Sequence, residues 1–360
     1  MIEGSGETAL AEDAAYRAAA VSAARYAALT LPDRPRLAPW VVAVDLGDAR
    51  LQFRSAESSH TLTHPLLVSA FHRVEKLLDG RHSEQEIVAL VGTAFQPATI
   101  IFLLKLLHGK GLLQHGGDVE VETRDDEVWQ RQVRFLSHYV ANASSTQAAL
   151  ASSRVGVVGC SGLRPAIVTA MGSIGIDSVT DIGDSSAWHA SAGGGLAELD
   201  LVVACGISPG FKFFDAINHA CLATGTRWLR VTTSGTSAQL GPTVVPYETA
   251  CYTCLDLRRQ THEPELGGYL AYRDSPVDTG SVRDDGTAVL SLVVSGQAVA
   301  EIMRILAGHA APVTFGRYYE FSAVSPVATP HDVLKVPRCT SCGTTRYTEA
   351  WDQTILRDVQ

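Results

Sequence analysis

No block of lysine or arginine occurs in this chain. Its 29 basic residues are dispersed among 38 acidic ones, for a formal charge of −9. A surface of that sign repels phosphate backbones, so nucleic acid is not an expected partner. Long apolar runs are missing too. No uninterrupted stretch reaches the ~18 residues a membrane span needs, and no membrane partner is expected. Met1 is followed by Ile2, Glu3, Gly4 and Ser5 instead of a basic and then apolar run, which predicts no signal peptide. The seven cysteines show no secretory pattern, so a reducing cytoplasm is the expected location. What the chain does have is apolar mass: 360 residues with 46% hydrophobic content can bury a sizeable core and fill two or three domains.

Four of the cysteines form two Cys-x-x-Cys pairs, Cys251-Tyr-Thr-Cys254 and Cys339-Thr-Ser-Cys342. Each pair offers two thiolates from one tight turn, and two such turns complete the tetrahedral set of a structural zinc. An all-sulfur set leaves no open position for water, so the metal is read as a staple. A redox dithiol and a pair of disulfides are the alternatives; two pairs in Pro-, Gly- and Thr-bearing stretches favour zinc. Cys205 and Cys221 sit in apolar segments and read as core, and Cys160 stands apart from them. His60, His72, His82, His138 and His331 have no spacing that suggests a metal cluster.

The chain reads as three segments. Residues 1–37 carry an Ala-rich helix from Ala9 to Leu29, ending at the proline-bearing Leu31-Pro-Asp-Arg-Pro-Arg run; it reads as a packing or oligomer helix. Residues 38–115 alternate as strands over Val41–Val44 and Leu51–Arg54, joined through Gly47-Asp48, with a third strand over Ser59–Thr63. Leu66, Leu67, Ala70, Phe71, Val74, Leu77 and Leu78 then recur at helical spacing up to Gly80. Ser83-Glu-Gln-Glu86 is a capping box for a second helix, and Pro97 opens a third through Ile100, Ile101, Leu104 and Leu107.

Three strands and three short helices predict a winged-helix-type module. The usual job of that shape is DNA binding, yet its third helix carries only Lys105 before Lys110, too little for phosphate contacts. A short third strand beside an aliphatic helix suits pairing with an extended peptide. The segment Leu37–Leu113 resembles the precursor-peptide recognition element of ribosomal natural-product pathways. That resemblance implies a leader peptide added as a strand along Ser59, His60, Thr61 and Leu62, against Thr99, Phe102, Leu103 and Lys105 of the helix.

Residues 127–360 are similar to the ubiquitin-activating-enzyme-like, or ThiF-like, adenylating fold. The likeness rests on Arg131-Gln132, Gln147 and Arg154, on the buried strand Val155–Val158 with its Gly159-Cys-Ser-Gly162 turn, and on Gly241-Pro-Thr-Val-Val-Pro246 before the first cysteine pair. A helix over Leu163–Ile174 and strands over Val179–Ile182 and Leu199–Ala204 imply a doubly wound α/β sheet. Ala298–Leu306 is expected to be a packing helix of the kind this superfamily uses to dimerise, so a homodimer is a possible assembly. Thr261–Thr287 reads as a long crossing loop. The stretch His331–Arg338, with Gly316-Arg317 upstream, is similar to partner proteins of thiazole/oxazole-modified microcin cyclodehydratases.

Several parts of the family's adenylating machinery are missing. Two of three turn glycines are replaced, by Ser161 and Arg164. Asp181-Ile-Gly-Asp184 has one residue too many between its carboxylates, the phosphate-clamping Arg stretch after them is absent, and Pro209 stands where a metal-site Asp is expected. Lys212 could reach a phosphate but reads as a solvated loop residue. The sequence therefore predicts that ATP is not bound, that the chain alone has no catalytic activity, and that it hands a leader-bearing peptide to a separate YcaO-family ATP-dependent cyclodehydratase. An active adenylating enzyme of the ThiF family is the alternative, and a DNA-binding regulator a weaker one.

Overall fold

Two left-handed residues start the N-terminal sheet. Asp48 and Ala49 (φ 52° and 54°) make the two-residue turn between β2 (Val42–Gly47) and β3 (Arg50–Arg54), one position beyond the expected Gly47-Asp48. Positive φ at both central positions matches the right-handed twist of the strands they join. The structure is a computed structural model that describes residues 29–56, 58–116, 126–140, 142–159, 162–184, 188, 195–207, 210–275 and 286–343. The Ala9–Leu29 helix lies outside the described residues except for Leu29. The chain divides into two compact units, one of residues 1–125 with 133–146, the other of residues 126–132 with 147–360.

In the first unit, β2 and β3 are followed by β4 (Ser59–Leu62), and the sheet order is β2-β3-β4. The helices are α1 (Pro65–Val74), α2 (Glu84–Val91) and α3 (Pro97–Gly109). The capping box forms as read: Glu86 N–H donates to Ser83 Oγ at 3.2 Å and Ser83 N–H to Glu86 Oε2 at 2.7 Å. Phe53 and Phe71 meet edge-to-face at 4.8 Å above a core of Ile87, Ile100, Leu103, Leu104 and Leu107. One pairing was not foreseen. The proline-bearing run supplies β1 (Pro35–Leu37), which pairs antiparallel with β5 (Leu113–His115). Just beyond β5, a Cβ on Gly116 would lie 2.6 Å from the Arg34 carbonyl oxygen, so the two backbones approach at a distance only glycine allows. Two helices, α4 (Glu127–Leu136) and α5 (Ala143–Ala151), each contribute residues to both units.

The second unit is built on one seven-stranded sheet. Its strands are β6 (Arg154–Gly159), β7 (Ser178–Gly183), β8 (Leu201–Ile207), β9 (Trp228–Ser234), β10 (Ser237–Val244), β11 (Arg317–Ser322) and β12 (Ser325–Asp332), ordered β12-β11-β10-β9-β8-β6-β7. Strands β7, β6, β8 and β9 run parallel, and β10 to β12 extend the sheet antiparallel. Helices α6 (Arg164–Gly172) and α10 (Ala288–Ala307) cover one face; α7 (Phe211–Thr224) and α8 (Tyr252–Gln260) cover the other. Helices on both faces explain why β6 and β8 read as continuous apolar runs.

Several boundaries differ from the sequence reading. Strand β8 begins at Leu201, because Leu196–Glu198 makes a 3-10 turn first. The packing helix starts at Ala288, where Thr287 Oγ1 accepts from Leu290 N–H as an N-cap. Part of the expected crossing loop is helix α9 (Leu266–Asp274), while 276–285 lie outside the described residues. By length and mean hydropathy (1.6) α10 could cross a membrane, but half of that window is buried, with Val294, Ala298 and Ile302 sealed against the sheet. Fully buried Glu301 on α10 accepts from Thr314 N–H (2.8 Å), Thr314 Oγ1 (2.7 Å) and Arg304 Nη1 (3.0 Å).

Candidate metal centre and candidate peptide edge

Cys251 is the N-cap of α8 and Cys254 lies in its first turn, so the helix start aims both thiols the same way. Asn218 of α7, wholly buried, fixes that turn: its Oδ1 accepts from Tyr252 N–H at 3.1 Å and its Nδ2 donates to Thr253 Oγ1 at 3.3 Å. The second pair follows β12. Thr253 and Ser341 hydroxyls join the two turns at 2.8 Å, and Gly343 N–H donates to the Cys339 carbonyl at 2.8 Å. The four sulfurs are buried and lie within 4.8 Å of one another, with separations of 3.8 Å (Cys251–Cys254), 3.7 Å (Cys251–Cys339) and 3.5 Å (Cys254–Cys342).

A tetrahedral zinc with Zn–S bonds of about 2.3 Å sets its sulfurs roughly 3.8 Å apart, so the donor set and its spacing fit that ion. Hydrogen bonds from the Cys251 and Cys342 thiols, then from Val336 N–H, hold Cys254 far below the usual thiol range. The Cys342 thiol is driven up, first by its bonds to Cys251 and Cys254. One thiolate thus stabilises itself at the expense of the next, and a divalent cation removes that competition. Cys205 and Cys221 are core residues, as read, and burial pushes the Cys221 thiol up to about 12.

In the first unit, β4 is one of the two edge strands of its sheet among the described residues, β2 being the other. Ser55 N–H donates to the Ser58 carbonyl at 2.9 Å, which fixes the parity of the β3–β4 ladder. Hydrogen-bonded pairs alternate with open ones in antiparallel strands, so Phe53 and His60 face each other through the ladder, and Ser59 and Thr61 turn their N–H and C=O groups outward. The side chains of His60 and Leu62 share the face of Phe53 and Leu51, and Leu62 packs against the helical core. On α3, Phe102 is exposed while Thr99 and Lys105 are half-buried. Leu103 is 0% exposed and belongs to the core, so it offers a ligand no surface. Sequence reasoning missed a separate cavity of about 580 Å³ in this unit, beside which Trp40 and His138 stack at 3.6 Å.

At the end of β6 the first glycine of the nucleotide-type turn is required by the sheet itself. Gly159 sits at φ 123°, and a Cβ there would meet the Cys205 carbonyl oxygen at 1.7 Å. Arg164, standing at a lost glycine, folds its Nη1 onto the Gly159 carbonyl at 2.9 Å and places Nε 3.0 Å from Asp181 Oδ1. The first carboxylate of the Asp181-Ile-Gly-Asp184 stretch is thereby engaged by the chain's own cation. Ser161 and Pro209 lie outside the described residues. Lys212 is exposed, as read, but it lies in the first turn of α7 instead of a loop and donates to the Ser275 carbonyl at 2.7 Å. Other polar bonds also hold α9. Asp256 accepts from Tyr269 Oη (2.6 Å) and pairs with Arg273 (3.1 Å), which also faces Asp215 at 3.8 Å, and Phe211 packs edge-on to Tyr269 and Tyr272.

Residues 178–343 match the profile of the ThiF family. No curated protein matches the chain in sequence. Among solved structures, the heterocyclase TruD aligns with a TM-score of 0.64 and 20% identity over 87% of this chain and 43% of its own. A heterocyclase in complex with substrate and cofactor aligns at 0.61 and 21%, over 86% of this chain and 39% of that one. E. coli MccB aligns at 0.60 and 13%, over 86% and 97%. These likenesses establish the ThiF-like fold that the sequence predicted. The chain spans less than half the length of the two heterocyclases.

Proposed function

We propose that this chain captures the leader of a ribosomally made precursor peptide and presents its Cys, Ser or Thr core to a separate YcaO-family cyclodehydratase. The single observation that carries the reading is the free edge of β4, with Ser59 and Thr61 turned outward, in a chain that shares its fold with less than half of a heterocyclase. On this reading the N-terminal unit is a winged-helix-type recognition element. His60, Leu62, Thr99, Phe102 and Lys105 contact the leader's side chains, and Ser59 and Thr61 pair with its backbone. The rest of the heterocyclase's work falls to the partner enzyme. There a core side chain adds to the preceding amide, ATP activates the resulting hemiorthoamide oxygen, and loss of that oxygen leaves an azoline ring. Capture of the leader raises the local concentration of the core at that enzyme's active site, which accelerates cyclisation with no chemistry of its own.

The four cysteines hold a structural zinc, which supplies rigidity to the layer that Asn218 and Ser341 organise. Arg164 on Asp181 supports a lost adenylation site. One observation favours the older chemistry: E. coli MccB, which aligns over 99% of its length in one structure, was solved with ATP. Two assays separate the readings. Fluorescent peptides spanning the N-terminal halves of short Cys-, Ser- and Thr-rich precursors are titrated against the chain, and ATP–pyrophosphate exchange is followed with the same peptides. Leader binding without exchange is expected; exchange dependent on the peptide would replace this reading with the adenylating one.

A further inference from the structure

Strand β9 turns Trp228, Arg230 and Thr232 to one face, at alternate positions, and all three are 0% exposed. The side chains of this row carry donors that find no protein partner among the described residues: Trp228 Nε1, Arg230 Nε and Nη2, and the Thr232 hydroxyl. Only Nη1 of Arg230 is satisfied, by Gln239 Oε1 at 3.0 Å and the Gly241 carbonyl at 3.2 Å. No carboxylate lies within ion-pair distance of Arg230 among the described residues. Instead a second guanidinium, Arg259 of α8, donates to the same Gln239 oxygen at 2.8 Å. Glu320 is reached only through the Gln239 amide, at 3.1 Å. Phe214 lies under the Arg230 guanidinium at 5.1 Å and stacks on Trp228 at 6.4 Å.

Such an arrangement is costly as it stands. A buried charge without a counter-ion bears a large desolvation penalty, and each unmet donor adds to it. Burial, then Arg259, lowers Arg230 to about 9, which leaves it protonated near neutral pH. A water molecule is a poor remedy. It accepts from two donors at most, must place two hydrogens of its own, and leaves the charge uncancelled. An anion lying against the guanidinium edge accepts from Arg230 Nε and Nη2 at once and cancels the charge.

We propose that Arg230 holds a small inorganic monoanion of the halide class at its Nε and Nη2, inside the layer between β9 and the helices α7 and α8. Complete burial of the row favours the smallest anion: a halide displaces far less of the packed layer than a phosphate or a peptide carboxylate would. The role is structural, since the ion neutralises the buried Arg230 cation, and it is independent of leader binding.

The test uses the full chain with its metal retained, in gluconate buffers of constant ionic strength, with chloride, bromide or formate titrated in. Chloride and bromide are expected to raise the Tm in proportion to the logarithm of their concentration above Kd, by roughly 5–10 °C at a hundredfold excess, and Arg230→Met to abolish the response. If that variant fails to fold, crystals grown in bromide decide, with an anomalous peak expected within hydrogen-bond distance of Arg230 Nε or Nη2. A Tm insensitive to halide with no such peak overturns the proposal. So does an undiminished response in Arg230→Met, or stabilisation by formate alone, which would make the ligand a carboxylate.

Discussion

Replacing Thr61 by proline tests the peptide edge directly. The Thr61 N–H points away from β3, so the folded chain does not use it in the β3–β4 ladder. Proline removes that donor and sets its ring where an incoming strand's carbonyl would dock. One lost hydrogen bond costs about 0.5–1.5 kcal/mol, and a carbonyl left unmet in the complex about 1–3 more. The sum, roughly 2–4 kcal/mol, corresponds to a rise in leader Kd of about 30- to 1000-fold. The assay is fluorescence anisotropy with labelled leader peptide, run beside near-UV circular dichroism. Thr61→Ala keeps the N–H and is expected to bind like the parent chain. His60→Pro is the converse: its N–H faces Phe53, so it should damage the hairpin itself and lower the Tm. Unchanged affinity in a folded Thr61→Pro chain would refute the edge assignment, and identical melting of the two proline variants would refute the parity argument.

Stripping the metal should release the tie between the Cys251–Cys254 turn and the Cys339–Cys342 turn; loop closure over that length contributes about 4–5 kcal/mol. A mercurial titration with a zinc indicator is expected to release one equivalent as the Tm falls, and zero release would sink the zinc reading. Glu301→Ala leaves Thr314 and Arg304 facing a cavity and should cost about 3–5 kcal/mol in urea unfolding, clearly more than Glu301→Gln, which keeps an acceptor. The Glu86 carboxyl is held below its ordinary 4.5, first by the Ser83 backbone N–H and then by the Ser83 hydroxyl. A lowered folded value means that its contribution is complete above about pH 4.5 and fades as the pH falls through the folded value. Urea midpoints of Glu86→Ala and the parent chain are therefore expected to converge on acidification, since Glu86→Ala removes the carboxylate that accepts from Ser83 N–H; a constant gap down to about pH 3 would contradict the capping box as its source.

Elements with a strong periodic signal were readable from the sequence, and those set by long-range pairing were not. The Ser83 box, the Pro97 helix, and the apolar strands β6 and β8 announce themselves locally. Strand β1 does not: Pro35 argues for a break, and only its register with Leu113–His115 makes it a strand. Helix α9 was hidden because Gly267 and Gly268 read as loop, while its hold comes from Asp256 and Asp215 elsewhere in the chain. The four-sulfur set was legible by spacing alone. Arg164 was legible only as a missing glycine; that it turns back onto Gly159 and Asp181 depends on β7 lying beside β6. Leu103 was misplaced because an apolar helix residue beside a groove and one beneath it look alike in sequence.

Helix α9 buries no residue completely, and what restrains it is a handful of polar bonds and ring edges. Such an attachment behaves as a hinged cover more than as part of the core. Hydrogen exchange across 266–274 should run at a sub-global opening energy well below that of α10. Each opening uncovers Phe211 and Asp256 together, two buried groups whose partners are the rings of Tyr269 and Tyr272 and the guanidinium of Arg273, while the sheet beneath keeps its own packing.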